Sequence, residues 1–241
     1  MHVAPARALD SIGFDPPDLA TIRRLIAAPA GLIVVAGPDG AGTRASVEAM
    51  LQARSGAADT LVIGQLAAPA VAQLALRAVE AGRLVLSRLR HDRACGVLTL
   101  LRNLGADPVR LADALALVIA QRLLPQLCPL CSQDDRRDDV RRVLAQATNT
   151  WLAGAAPRPR RQGPNGCAHE PRAAKISRVL AYEMFEVDSR ARLLIGSGAA
   201  GVELQTALLG EGATLWDSGL RLLAQGKVSL EALRASIREP R

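Results

Sequence analysis

Aromatic residues are scarce in this 241-residue chain, at 2% of the sequence. The core must therefore be assembled from Leu, Val, Ile and Ala, and the stacking platforms that grip single-stranded nucleic acid are missing. Lysine is scarcer still. Lys175 and Lys227 are the only two, so the net charge of +7 is carried almost entirely by arginine. Mutational bias in a GC-rich genome accounts for such a composition as well as an anionic partner does. With no binding module beside the charge, no nucleic-acid partner is expected. Uncharged apolar runs fall short of the ~20 residues of a membrane span. The richest stretch, "LADALALVIAQRLL", carries Asp113 and Arg122. The opening "MHVAPARALDSIGF" lacks a basic start followed by an apolar segment, so a secretory signal is not expected. A cytoplasmic protein is the expectation, and its four cysteines then point to metal or incidental use rather than to disulfides.

Hydrophobic residues make up 49% and charged residues 22%, a globular balance. "GLIVVAG" (31–37), "TLVIG" (60–64) and "RLVLS" (83–87) read as strands. Helices are expected in "DPPDLATIRRLIAAP", over 42–54, and in "PAVAQLALRAVEAG" closed by Gly82. Two more follow at 94–104 and 108–124. Such alternation implies βαβ units and a parallel sheet covered on both faces. Farther on, "SQDDRRDDVRRVLAQ" suits a charged helix, and "AGAAPRPRRQGPNG" (153–166), with its prolines, reads as a linker. The tail reads as two short helices broken at Gly226, with Ser229 capping the second.

The first strand runs into "GPDGAGTR", Gly37 to Arg44. Gly37 and Gly42 have the spacing of a phosphate-binding loop, G-x-x-x-x-G-K-[ST], in a strand–loop–helix context. In a working loop the backbone N–H groups cradle phosphates, the lysine reaches the β and γ groups, and the hydroxyl holds Mg²⁺. Thr43 and Arg44 stand in the last two positions here, and Asp39 adds a negative charge inside the loop. On spacing alone, a tight strand-to-helix turn explains the glycines equally well.

The surrounding sequence resembles the type II secretion and type IV pilus assembly ATPases. The likeness runs from "LDSIGFDPPDLATIRRLIAAPAGLIVVAGPDGAG" through "EAGRLVLSRLRHDRACGVLTLLRNLGADPVRLADALALVIAQRLLPQLCPLC". It continues in "AYEMFEVD" and in "TLWDSGLRLLAQGKVSLEAL". The resemblance implies an α/β fold. A RecA-like P-loop NTPase core with a short parallel sheet (1–127) would lead to a cysteine-bearing zinc knuckle and linker (128–170) and a mostly helical C-terminal region (171–241). Gly37, Pro38, Gly40, Gly42, Thr43 and Arg44 would be the degenerate nucleotide-binding residues, with Gln65 beside them.

The departures weaken the expected chemistry. About a dozen residues at "LQARSGAADT" span a gap where the family carries an acidic box and an arginine-bearing helix. Gln65 stands for the family's Walker B glutamate, Arg90 for its histidine, and His91 is displaced by one. Removing one such stabilising group costs ~10²–10³ in rate. A pseudo-ATPase is therefore expected, with ATP and Mg²⁺ disfavoured as cofactors; the alternative is a weak ATPase. Cys128 and Cys131 form half of a zinc site, and Cys167 with His169 could complete a Cys₃His set, Glu170 standing where a last cysteine would be. The opposing reading is that zinc has been lost and these residues are remnants. Cys95 reads as a core filler. The expected partners are an active ATPase paralogue, in a homo- or hetero-hexamer, or inner-membrane platform proteins. The chain would then be cytoplasmic, docking peripherally at the inner membrane, without the family's N-terminal region in these 241 residues.

Overall fold

The computed structural model describes residues 8–54, 59–146, 156–164, 166–167, 177–199, 201–210 and 212–239. Every residue of β1 (Gly31–Ala36) is buried. Strand side chains point alternately to the two faces, so burial of the whole run means that both faces are covered. β1 pairs in parallel with β3 (Leu84–Leu89) on one side and with β4 (Leu115–Pro125) on the other. β2 (Thr60–Gln65) joins β3, also in parallel, and β7 (Arg178–Glu186) completes the order β2-β3-β1-β4-β7. Val187 N–H donates to Ala116 O and Gln126 N–H to Ser177 O, which sets β7 antiparallel to β4.

The helices of this core follow local signals. α1 (Pro16–Ile26) starts on a proline at its first position, α2 (Thr43–Ala53) follows the glycine-rich turn, and α3 (Pro69–Glu80) precedes Gly82 at φ 81°. After α4 (Ala94–Asn103), Gly105 turns the chain at φ 82°. α5 (Pro108–Ala114) is capped by the Asp107 carboxylate, which accepts from Val109 and Arg110 N–H.

The helix expected over 108–124 stops at Ala114, and the chain continues as β4. An unbroken apolar run fits a buried strand and a buried helix equally well, so periodicity does not separate them. The open edge of β1 decides it: Leu115, Leu117, Val118, Ile119 and Ala120 are all fully buried there. The 153–166 stretch also differs from a plain linker. Its 153–155 and 165 positions lie outside the described residues, but Arg160–Arg161 form β6, paired antiparallel with β5 (Gln133–Asp134). The charged helix is shorter than expected, α6 (Asp138–Gln146), because β5 takes its first residues.

Two compact units emerge, Met1–Gln121 with Glu183–Gly210, and Arg122–Tyr182 with Glu211–Arg241. These are drawn along other lines than the segments expected at 1–127, 128–170 and 171–241, because the chain returns to the first unit after Tyr182. That return supplies the end of β7 with α7 (Ser189–Gly196) and α8 (Gly201–Leu209). The second unit packs α6 with α9 (Leu215–Ala224) and α10 (Leu230–Ser236) around Val140, Leu144, Trp216, Leu220, Leu223 and Leu233. Thr214 and Asp217 form a capping box on α9, and Ser229 caps α10 as expected.

Arg137 ties this unit together, 2.6 Å from Asp135 and 2.5 Å from Glu231. Its hydrogen bonds hold both carboxyls below their usual range, and the Asp135 side chain is fully buried. Carboxyls depressed in this way stabilise the fold at neutral pH and lose that contribution as pH falls through the lowered values. Arg137→Met should therefore cost about 2 kcal/mol at pH 7, because a buried carboxylate loses its partner. In urea unfolding the difference from the parent should narrow below about pH 4.

Candidate functional site

The turn after β1 is shaped by its backbone. Gly37 N–H donates to Leu89 O and Ala41 N–H to Pro38 O, both at 3.1 Å. Gly40 and Gly42 adopt φ 80° and 81°, a left-handed conformation that costs an ordinary L-residue about 1–2 kcal/mol. Gly37 is needed for a different reason: a Cβ there would lie 2.6 Å from Ala41 Cβ and 2.9 Å from Gln121 O. The turn thus closes tightly over β4 at Gln121 and delivers the chain into α2.

Gly37, Pro38, Gly40, Gly42, Thr43, Arg44 and Gln65 all line one cavity of about 330 Å³. The structure therefore brings together every loop residue singled out in the sequence. Arg88, Leu89 and Arg90 complete the wall from the end of β3. First-turn N–H groups of a helix have no intrahelical partner, and here they belong to lining residues Thr43 and Arg44. Asp39 is not a free charge in the loop, because Arg90 stands 3.1 Å from its carboxylate. Both side chains are more than half exposed, so the pair contributes little to stability. Arg44 points along its own helix to Glu48, 3.7 Å away. His91 does not line the cavity; its Nδ1 accepts from Arg93 N–H at 3.1 Å, and its ring lies against Gly96.

Three residues near the site escaped the sequence reading. Arg88 adds a third guanidinium to the cavity wall. Gln121 is a buried amide on β4 that bonds both Ala41 and Ser46. Glu183, also buried, accepts from Ala94 N–H at 2.6 Å and so caps α4. A polar Gln121–Arg122 pair interrupting an apolar run was the available signal for Gln121. It was masked by reading that run as a helix.

The cysteines gather elsewhere, in the second unit. The sulfurs of Cys128, Cys131 and Cys167 all lie within 4.8 Å of one another. The β5–β6 ribbon aligns the two arms that carry them, and Gly163 allows close approach, since a Cβ there would meet Cys131 O at 2.7 Å. Backbone N–H groups of Cys131 and Leu130 beside the Cys128 sulfur lower its pKa. Three soft donors at this separation can close on one ion at ~2.3 Å per sulfur, which fits zinc. His169 and Glu170 lie outside the described residues. Cys95 is separate, on α4, and burial with the nearby Glu183 charge raises its thiol to about 12.

The family model for type II/IV secretion system proteins matches residues 54–235. The chain belongs to that family. The protein transport protein HofB homolog of Escherichia coli (strain K12) is 26% identical over 275 aligned residues, covering 96% of this chain and 58% of that protein. The type II secretion system ATPase E of Vibrio cholerae serotype O1 is 25% identical over 278, covering 96% and 53%. The chain thus spans about half the length of the curated relatives it matches. Both alignments are longer than the 241-residue chain, so these relatives hold residues with no counterpart in it. Among solved structures, the pilus retraction motor PilT with bound ADP superposes with a TM-score of 0.66 at 18% identity, over 99% of this chain and 69% of that one. The Legionella pneumophila ATPase DotB gives 0.63 at 11%, over 97% and 66%. These likenesses establish the RecA-like α/β fold. Among the described residues, no helix is long and apolar enough to cross a membrane.

The four thiols should separate chemically. After treatment with a chelator, three should react with an aromatic disulfide reagent at pH 8 in the native protein. Cys95, a protonated thiol at that pH, should react only once denaturant is added.

Proposed function

We propose that the chain serves a type II secretion or type IV pilus machine as a catalytically silent relative of its ATPases. The observation that carries this reading is the charge inventory of the loop cavity. Arg44, Arg88 and Arg90 line it, and its one lining carboxylate, Asp39, is already engaged by Arg90. Phosphoryl transfer relies on Mg²⁺ bridging the phosphates and on groups that orient the attacking water. A hydroxyl in the last loop position would hold that ion, and Arg44 cannot. Gln65 occupies the wall where a carboxylate would orient the water, and an amide does not accept a proton at neutral pH. The lysine is missing as well, and a guanidinium does not match its geometry.

Such a chain acts through its surfaces. Its partner would be an active paralogue, within a shared hexamer or at its end, or a platform protein of the inner membrane, with the chain docked from the cytoplasmic side. Zinc at Cys128, Cys131 and Cys167, with His169 as the fourth donor, would hold the arms of the second unit together. Soft thiolates bind such an ion as a structural clamp. Elemental analysis of untagged protein should then find close to one zinc per chain.

The preserved turn favours a second reading, weak nucleotide binding with slow turnover. Calorimetric titration with ATP, with and without Mg²⁺, separates the two when paired with a phosphate-release assay. The first reading expects release no faster than a no-protein blank and no gain in affinity from Mg²⁺. Micromolar binding that requires Mg²⁺, with measurable turnover, would establish the second instead.

A further inference from the structure

We propose that Gln121 is the positioning residue of the phosphate loop, holding its shape through a two-ended amide brace. Its Nε2 donates to Ala41 O at 2.7 Å, and its Oε1 accepts from Ser46 Oγ at 2.9 Å. Both ends are buried, and Gln121 as a whole is 1% exposed. A carbonyl can only accept, so Ala41 fixes which end of the amide faces the loop. The Ser46 hydroxyl must then donate to the other end. Glutamate could not donate to Ala41 when ionised, and leucine could make neither bond.

The brace joins three elements that the fold brings to one point. Ala41 belongs to the turn, Ser46 to the first helical turn of α2, and Gln121 to β4. The backbone adds a steric contact at the same place, because Gly37 can approach Gln121 O only without a Cβ. Hydrogen bonds buried from water are costly to leave unmade, so both ends resist rearrangement of the turn. In a loop without lysine, this internal amide does the work of holding the turn that a bound phosphate would otherwise share. The inference rests on loop geometry and stands whether or not a nucleotide binds.

Hydrogen exchange on the full-length chain tests it, read amide by amide without added ligand. Gln121→Leu keeps the buried volume and removes both bonds. Exchange at Ala41 through Val47 should rise roughly tenfold or more, while β3 and the second unit change by less than about twofold. Ser46→Ala deletes one buried hydroxyl and is the milder change, which should leave the chain folded. It should give a smaller rise, about threefold, confined to the same amides. The double variant should exchange no more than marginally faster than Gln121→Leu alone, since the Ser46–Gln121 bond is already absent there and only the long 3.4 Å contact of Ser46 Oγ with Gly42 O remains to be lost. Unchanged exchange in the loop would overturn the proposal. So would a rise of equal size in β3, or additive effects in the double variant. None of these outcomes depends on ATP turnover, so the brace can fail while the proposed function stands, and the reverse.

Discussion

The parallel pairing of β1 with β3 on one side and β4 on the other is the constraint on which this molecule depends. A strand hydrogen-bonded along both edges cannot slip by one residue without breaking both ladders and exchanging which side chains face each covering layer. Its end is therefore a fixed point, and the turn at Gly37 starts from there. The ends of the two neighbours set the rest of the site. β3 delivers Arg88, Leu89 and Arg90 to the cavity wall, and β4 delivers Gln121 beneath the turn. Ligand sites of parallel α/β sheets form at the carboxyl ends of the strands, and here β1 and β3 end while β4 continues to Pro125. The site's position is a consequence of the sheet, and its detailed shape depends on the glycines of the turn and on Gln121 beneath it.

The geometry of the site and the side chains that line it are separate matters in this chain. The seven residues of the loop reading still converge on one cavity, and the fold is that of ATP-handling relatives. The groups that would do chemistry there have different electrostatic character. Among the described residues, three guanidiniums and one carboxylate, paired with Arg90, line the cavity beside the Thr43 hydroxyl and the Gln65 amide. The second unit shows the opposite pattern. Its three clustered thiols retain the donor type and spacing of a metal clamp. Among the described residues, the cluster whose donors could hold a metal ion is thus remote from the loop in sequence.

Much of this was legible in the sequence where local signals agree. Proline starts, glycine stops and β-branched runs located β1, β2, β3 and the helices between them. Ser229 as a cap and the break at Gly226 were legible for the same reason. The failure at Leu115 has a physical cause: "LALVIAQRLL" satisfies the burial pattern of either element, and only the vacant edge of β1 selects a strand. Missing β4 meant missing Gln121, because a glutamine on a helix has no reason to reach the loop. Arg160 and Arg161 were read as solvated linker because two-residue pairing with β5 leaves almost no pattern to detect. Arg90 was seen as a replaced histidine, but its ion pair with Asp39 depends on a chain reversal that no local rule encodes.

The glycines deserve a stricter accounting than their motif invites. Gly37 is required by packing against Ala41 and Gln121, which would hold in any tight strand-to-helix turn. Gly40 has open space where a Cβ would go, so only its backbone angle calls for glycine. Gly42 caps α2 in the left-handed region, where φ favours glycine. Each glycine is thus explained by the turn itself, with no ligand invoked. What a bare connection would not need is the positive lining around the first-turn amides, where Arg88 stands beside Arg44 and Arg90, the last two sharing their charge with Glu48 and Asp39. The spelling of the loop and the charge of its walls are independent observations, and only the second bears on binding.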